Sequence, residues 1–72
     1  MEFDLNGHEF IPLNNLLKVL GLAGTGGEAN IMIENGAVKV NGATETQKRK
    51  KLRAGDVVKL GKDSITILKS QK

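Results

Sequence analysis

The hydrophobic periodicity of this chain changes at Ala37, and that change constrains the fold more than any other feature. Between Pro12 and Gly21, four leucines recur at three- and four-residue spacing, which predicts an amphipathic helix that begins at the proline and ends at the glycine. From Val38 to Val40, apolar residues alternate with a lysine, which is the two-residue period of a strand. Helical sequence therefore precedes strand sequence, and the predicted class is α+β.

A second helix is predicted between the first helix and the change of period. Thr25 and Glu28 have the spacing of a capping box, in which each side chain accepts the backbone N–H of the other residue, so this helix begins near Gly26. Asn35 and Gly36 supply the left-handed residue that ends it. Its predicted inward residues are Ala29, Met32 and Ile33. Two short helices joined by a tight loop form a helical hairpin.

Asn-Gly dipeptides mark two predicted strand turns. Asn41 and Gly42 predict a hairpin whose return strand covers residues 44–46. Asn6 and Gly7 predict an N-terminal β-hairpin over residues 1–11. Turns at residues 54–56 and 61–64 precede two further predicted strands, residues 57–60 and 65–68. The predicted fold is a helical hairpin packed on a small antiparallel sheet, with the N-terminal β-hairpin added.

The length of 72 residues allows a single domain, residues 1–72, made of the hairpin (1–11), a core (12–60), and a final strand and tail (61–72). The chain has no cysteine, so it has neither a disulfide framework nor a thiolate metal site. Its apolar runs are far shorter than a membrane span, and its first residues are acidic where a signal peptide is basic. We expect a soluble cytoplasmic protein.

Charge is segregated along the chain. Residues 1–35 carry one lysine against five carboxylates, a net charge of −4, and residues 36–72 carry ten basic residues against three carboxylates, a net charge of +7, which gives the overall +3. Half of the ten lie in residues 48–53, which we call the basic segment: Lys48, Arg49, Lys50, Lys51 and Arg53. Such a concentration favours a polyanionic partner, although a solvated loop that keeps the protein soluble is the simpler alternative.

Groups suited to catalysis or base stacking are sparse. His8 is the single histidine, and the two serines, Ser64 and Ser70, fall in a predicted turn and in the tail. No nucleophile, base and orienting group converge, so we expect a non-enzyme without cofactor or metal. Phe3 and Phe10 are the only aromatic residues. Recognition of a nucleic acid would therefore depend on its backbone and shape.

Two motifs in the strand half carry a family resemblance. Residues 36–42 have the sequence Gly-Ala-Val-Lys-Val-Asn-Gly, and residues 55–58 have the sequence Gly-Asp-Val-Val. With the leucines of the first helix, they cover about two-thirds of the chain and resemble the RNA-binding domain first named from the fourth small-subunit ribosomal protein, also called the alpha-L motif. The chain is similar to the small stand-alone bacterial members. The resemblance implies binding of structured, ribosomal RNA in ribosome assembly or translation.

The chain departs from the family where family members often carry basic residues. Pro12 stands where a basic residue often precedes the first helix, and Thr25-Gly26-Gly27 and Asn30 stand where a Ser-Arg pair and a further Arg are common. Gly26 and Gly27 instead leave the first N–H groups of the second helix unobstructed, which suits a phosphate. A tight, well-capped helix start is the structural alternative.

The predicted RNA contacts combine the basic segment with these positions and two further lysines. Lys39 faces away from the neighbouring valines, as the family's basic residue here does, and it either extends the basic surface or is an ordinary exposed lysine. Lys18 is the single positive charge of the first half. The full predicted set is Lys18, Gly26, Gly27, Asn30, Lys39, Lys48, Arg49, Lys50, Lys51 and Arg53.

A protein partner remains an alternative to RNA. The basic segment or the N-terminal hairpin would then dock an acidic protein, and the chain would act as a non-catalytic adaptor. DNA binding is less favoured because neither predicted helix has a basic face for a major groove. We expect a monomer that binds neither membranes nor a small-molecule substrate.

Overall fold

Residues 1–69, which the computed structural model describes, form two helices and seven strands. The helices are α1 (Leu13–Val19) and α2 (Gly26–Glu34). The strands are β1 (Glu2–Asp4), β2 (Ile11–Pro12), β3 (Val38–Val40), β4 (Ala43–Thr44), β5 (Lys51–Leu52), β6 (Val57–Leu60) and β7 (Asp63–Leu68). The helical hairpin and the strands that follow it confirm the α+β class.

Local sequence sets the ends of both helices. α2 begins after Thr25, whose hydroxyl oxygen accepts the N–H of Glu28 at 3.1 Å. This is one of the two hydrogen bonds of the predicted capping box; the reciprocal bond to the Glu28 carboxylate is not formed within residues 1–69. α2 ends in a Schellman motif at Gly36, in which the N–H groups of Gly36 and of the next residue donate to carbonyls of the last helical turn. α1 ends in the same motif at Gly21. Gly21 thereby keeps the connection between α1 and α2 short, and Gly36 turns the chain sharply from α2 toward β3.

The main sheet has five strands in the order β1-β7-β6-β3-β4. β3 and β4 form the predicted hairpin around Asn41 and Gly42, and Val40 pairs with Ala43. The return strand is β4, so it ends before residue 46. β6 lies antiparallel to both β3 and β7, and β7 begins at Asp63, which shortens the last predicted turn. A separate two-stranded sheet pairs β2 with β5, a strand that the sequence did not predict.

The predicted N-terminal hairpin is wrong, although its turn is present. Asn6 and Gly7 have positive φ values, and the N–H of His8 donates to the carbonyl of Leu5 at 3.0 Å. However, β1 pairs in parallel with β7, and β2 pairs with β5. The main sheet is therefore mixed, where the sequence predicted an antiparallel one.

Burial explains why the first turn does not close a hairpin. Pairing with β7 sets Phe3 against the core, and Leu5, just beyond β1, is only 2% exposed. Ile11 pairs with Leu52, which is fully buried. Each segment thus reaches apolar neighbours that a two-stranded hairpin on the surface would lack.

Both helices pack on one face of the main sheet around a single apolar core. The buried residues are Leu5, Leu13, Leu16, Leu17, Ala23, Ala29, Ile33, Val38, Val40, Leu52, Val58, Ile65 and Ile67. Alternation along the strands turns Lys39 and Lys59 to the opposite side, which we call the outer face. Neither α1 nor α2, the helices of the described part, is long and apolar enough to cross a bilayer.

Candidate nucleic-acid interface

The backbone of the basic segment is fastened to the start of α1. The N–H of Leu13 donates to the carbonyl of Lys50 at 2.9 Å, and the N–H of Asn14 donates to the carbonyl of Lys48 at 3.0 Å. The first N–H groups of a helix have no partner within the helix, so these carbonyls satisfy two of them. Pro12, at the N-cap, makes no side-chain cap. The segment therefore follows a fixed path, and these backbone contacts do not involve its charged side chains.

Lys48 extends the contacts of the segment to α2. Its Nζ atom lies 3.3 Å from Oε2 of Glu34, and both side chains are about half exposed, at 46% and 54%. An exposed ion pair of this kind contributes little to stability, because solvent and salt screen it. A phosphate could therefore displace the carboxylate from Lys48 at small cost.

Phe10 orders the cations at the other end of the segment. The Nζ atom of Lys51 lies 5.0 Å from the centre of its ring, and the Cζ atom of Arg53 lies 5.8 Å from it. Alternation in and after β5 turns these two side chains to one side and buries Leu52 on the other. Both cation–π contacts restrict the rotamers of exposed, flexible side chains. The sequence contained no signal for this role of Phe10, because β2 and β5 pair across 40 residues.

A polar contact joins the start of α1 to the middle of α2. Nδ2 of Asn14 donates to Oδ1 of Asn30 at 3.1 Å, in a partly buried position. The sequence analysis missed Asn14; a weak signal was available, since asparagine is a poor helix former and its place in a helix then needs another reason, such as a side-chain contact. The Nδ2 group of Asn30 has no protein partner within residues 1–69 and can donate to a ligand. Lys18 is exposed on α1, four residues after Asn14 and on the same face.

Gly26 and Gly27 form the first turn of α2. Thr25 already accepts the N–H of Glu28, so the capping side chain occupies part of the helix start. A Cβ atom added at Gly26 would have no neighbour within 4 Å, and one added at Gly27 would lie 3.9 Å from the Thr25 hydroxyl oxygen. Neither position is crowded, and neither glycine carries a side chain that would cover the start of α2.

A second set of hydrogen bonds holds the far end of the basic segment. Oδ1 of Asn41 accepts the N–H of Val57 at 2.9 Å, and its Nδ2 donates to Oδ1 of Asp56 at 3.0 Å. Oδ2 of Asp56 accepts the N–H of Arg53 at 2.9 Å. The hairpin turn is thereby joined to the turn after β5, which fixes where the segment ends.

The surroundings of Asp56 favour its charged form. Partial burial by itself raises the pKa of this carboxyl group. The hydrogen bonds from Arg53 and Asn41 act in the opposite direction, as do the positive charges of Lys50 and Arg53. Together they outweigh burial and hold the pKa of Asp56 below its ordinary value.

The remaining predicted contacts lie in different places. Arg49 is exposed, and within residues 1–69 its guanidinium has no ion-pair or hydrogen-bond partner. Lys39 is exposed on the outer face of the sheet, away from the helices that the basic segment contacts. The structure therefore brings the segment, Asn30 and the start of α1 together, and it sets Lys39 apart.

The two described residues considered for catalysis lie in different elements. His8 and Ser64 are exposed, at the first turn and in β7 respectively, and Ser70 lies outside the described residues. Within residues 1–69, no three His, Asp or Glu side chains are placed to hold a metal ion.

Comparisons with known proteins agree with this architecture. YbcJ of Escherichia coli (strain K12) and YbcJ of Shigella flexneri are each 41% identical to this chain over 66 residues, which cover 92% of this chain and 94% of theirs. The solution structure of Escherichia coli YbcJ superimposes with a TM-score of 0.71 and 40% identity, covering 93% of this chain and 85% of that one. That structure is described as revealing an αL motif involved in RNA-binding. The family model of the S4 domain matches residues 3–68, and this chain therefore belongs to the S4 domain family.

Proposed function

We propose that this protein binds structured RNA, and ribosomal RNA in particular, by contacting phosphates with the basic segment. The observation that carries the proposal is the fastening of this segment to α1 through the carbonyls of Lys48 and Lys50. The protein would act as a monomer in the cytoplasm, in ribosome assembly or translation, without a catalytic step. The αL motif of YbcJ, described as involved in RNA-binding, supports the RNA-binding part of this proposal.

The fixed backbone lowers the entropic cost of binding. A flexible basic loop would have to be ordered when RNA binds, and each immobilised long side chain would add about 0.5–1.5 kcal/mol to that cost. Here the hydrogen bonds to α1 order the loop in advance, and Phe10 restricts Lys51 and Arg53. The five cations of the segment would then neutralise phosphates, which positions the RNA without selecting its sequence.

The helix surface next to the segment would guide the RNA backbone further. The amide nitrogen of Asn30, which has no partner among the described residues, lies beside the start of α1. Lys18 lies one turn after Asn14 on the same face of α1. The N–H groups of Gly26 and Gly27 would donate to another phosphate at the positive end of α2. The few aromatic residues leave shape and backbone as the features recognised.

A salt titration of binding to ribosomal RNA tests the proposal. If about five phosphates are neutralised, log affinity falls with log salt with a slope of roughly −3.5 to −4.5. Replacing Lys48, Arg49, Lys50 and Lys51 with Ala should leave a much shallower slope. The fold should survive, because the segment contacts α1 through backbone atoms.

A matched pair of double variants shows whether binding depends on where the positive charges lie or only on the net charge of the protein. Lys50→Ala with Lys51→Ala removes two charges from the segment, and Lys62→Ala with Lys69→Ala removes two exposed charges elsewhere. Only the first pair should reduce the salt dependence strongly. Equal effects would show that general attraction is sufficient, and no binding at low salt would favour the adaptor that docks an acidic protein.

Gly26→Ala decides between phosphate binding and a tight helix start at α2. The added methyl group meets no neighbour, and alanine is a better helix former by about 1 kcal/mol, so the fold should be unchanged or more stable. Weaker RNA binding by this variant would indicate that a phosphate approaches the N–H groups. Unchanged binding would leave Gly26 and Gly27 with a structural role alone.

A further inference from the structure

The outer face of the main sheet carries a row of polar residues that is separate from the basic segment. Lys39 on β3 and Lys59 on β6 are direct partners in the strand register, and both are exposed. Thr44 on β4 is the partner of Lys39 on one side, and Ser64 on β7 is the partner of Lys59 on the other. Because neighbouring strands lie about 4.8 Å apart, the four positions span roughly 14 Å across the sheet.

The two lysines have no counterion among the residues that the structure describes. Like charges directly opposite each other destabilise a strand pair. Within residues 1–69, neither lysine forms an ion pair. The acidic residues of this face, Glu2 and Asp4, lie on β1, which β7 separates from β6. Positive charge is thus concentrated on β3 and β6, which lowers the stability of the protein when no ligand is bound.

We propose that this row is a second RNA-contact surface, at which Lys39 and Lys59 bind phosphates of another segment of the same RNA. The proposal rests on the RNA binding proposed above and adds a second face to it. A phosphate backbone supplies only acceptors, which matches two ammonium groups flanked by two hydroxyl-bearing residues. A protein interface would need an apolar centre. The four positions of the row are all polar, and Val57, which lies beside Lys59 on the same face of β6, is partly buried. Phosphate bound at the row also relieves the repulsion between the two lysines.

Lys59→Glu tests the row because folding and binding should change in opposite directions. The substitution sets opposite charges face to face on β3 and β6, so the melting temperature should stay the same or rise. Affinity for ribosomal RNA should nevertheless fall. In addition, the double variant Lys39→Gln with Lys59→Gln should make the salt slope shallower by about 1.4 to 1.8, the value for two phosphates. A variant that merely damaged the fold would not combine these results.

Lys69→Glu is the matched control. It makes the same change of charge at an exposed position beyond the end of β7, several residues from Ser64. It should bind ribosomal RNA with nearly the wild-type slope. If Lys59→Glu and Lys69→Glu bind alike, the second surface is wrong, while the alanine variants of the basic segment still test the first. If the unaltered protein binds no ribosomal RNA at low salt, both proposals fail.

Discussion

The two Asn-Gly turns of this protein share one backbone conformation but have different structural roles. Asn6 and Asn41 both have φ near 53°, and Gly7 and Gly42 both have φ near 87°. The second turn joins neighbouring strands that pair with each other, whereas the strands on either side of the first turn pair with distant partners. An Asn-Gly sequence therefore determines that the chain reverses, and contacts beyond the turn determine which strands pair.

The side-chain contacts of the two turns differ in the same way. The first turn has a local contact, in which the N–H of Asn6 donates to Oδ1 of Asp4 at 2.7 Å. In the second turn, Asn41 bonds across the sheet to Val57 and Asp56. The first turn is thus held in place by the burial of its neighbours, and the second is also held by its own side chain.

Removing the burial beside the first turn should have the largest effect. Leu5→Ala deletes a side chain that is 2% exposed, and we expect a loss of about 2–5 kcal/mol in the free energy of unfolding, measured with urea. Leu17→Ala, in the centre of the core, should give a loss in the same range. Leu68→Ala, at a position that is 39% exposed, should cost much less. A small loss for Leu5→Ala, equal to that for Leu68→Ala, would show that burial does not hold the N-terminal strand.

Replacing the two asparagines should lower the free energy of unfolding by different amounts, and the difference should reflect the cross-sheet hydrogen bonds of Asn41. Asn41→Ala leaves the N–H of Val57 without its acceptor and Asp56 without one donor, so it should lower the free energy of unfolding by about 2 kcal/mol. Asn6→Ala loses only the tolerance of asparagine for positive φ, and should cost about 1 kcal/mol. Equal losses in urea unfolding would mean that the contacts of Asn41 add nothing to the turn.

The glycines, in contrast, should respond alike. A Cβ atom added at Gly7 or Gly42 meets nothing within 4 Å, so the effect comes from backbone strain alone. Alanine at each position should cost about 1–2 kcal/mol, because both residues have left-handed φ values. Two thermal melts, of Gly7→Ala and Gly42→Ala, check this. A clearly larger loss at Gly42 would indicate that pairing of β3 with β4 amplifies the strain.

The same division explains which parts of the fold could be predicted. The cap at Thr25, the helix end at Gly36 and the turn at Asn41 depend on residues within a few positions of each other, and all three are confirmed. The pairing of β1 with β7 joins residues 64 positions apart, that of β2 with β5 joins residues about 40 positions apart, and no local pattern encodes either. The N-terminal hairpin was wrong for this reason.

The candidate site divides along the same line. Its charges are visible in the sequence, since five of the six residues of the basic segment are Lys or Arg. The carbonyl contacts of Lys48 and Lys50 with α1 and the position of Phe10 under Lys51 follow only from the tertiary fold. Likewise, the opposition of Lys39 and Lys59 requires the register of β3 and β6. The sequence thus shows that the surface is positively charged, and the tertiary fold determines where its charged side chains lie.

The smallest predicted effect is a pH dependence at the second turn. Because the pKa of Asp56 is lower in the folded protein than the unfolded value of about 3.9, its contribution to stability is complete above that value. As the pH falls through the folded pKa, the contribution is lost, since the unfolded chain takes up the proton first. Urea midpoints at pH 7 and pH 3 should therefore differ less in Asp56→Asn than in the wild type.

Asp63→Asn provides the comparison that assigns this effect to the turn. Asp63 is an exposed carboxylate at the start of β7, with no hydrogen-bond partner for its side chain within residues 1–69, so its replacement should preserve the wild-type difference between the two pH values. An equal reduction in both variants would mean that overall charge, and not the bonds to Asn41 and Arg53, sets the acid sensitivity.

Because Asp56 is also the residue that fixes the end of the basic segment, its protonation should loosen that segment before the core unfolds. RNA affinity of the wild type would then decline at a higher pH than the unfolding midpoint does, and Asp56→Asn would remove that separation.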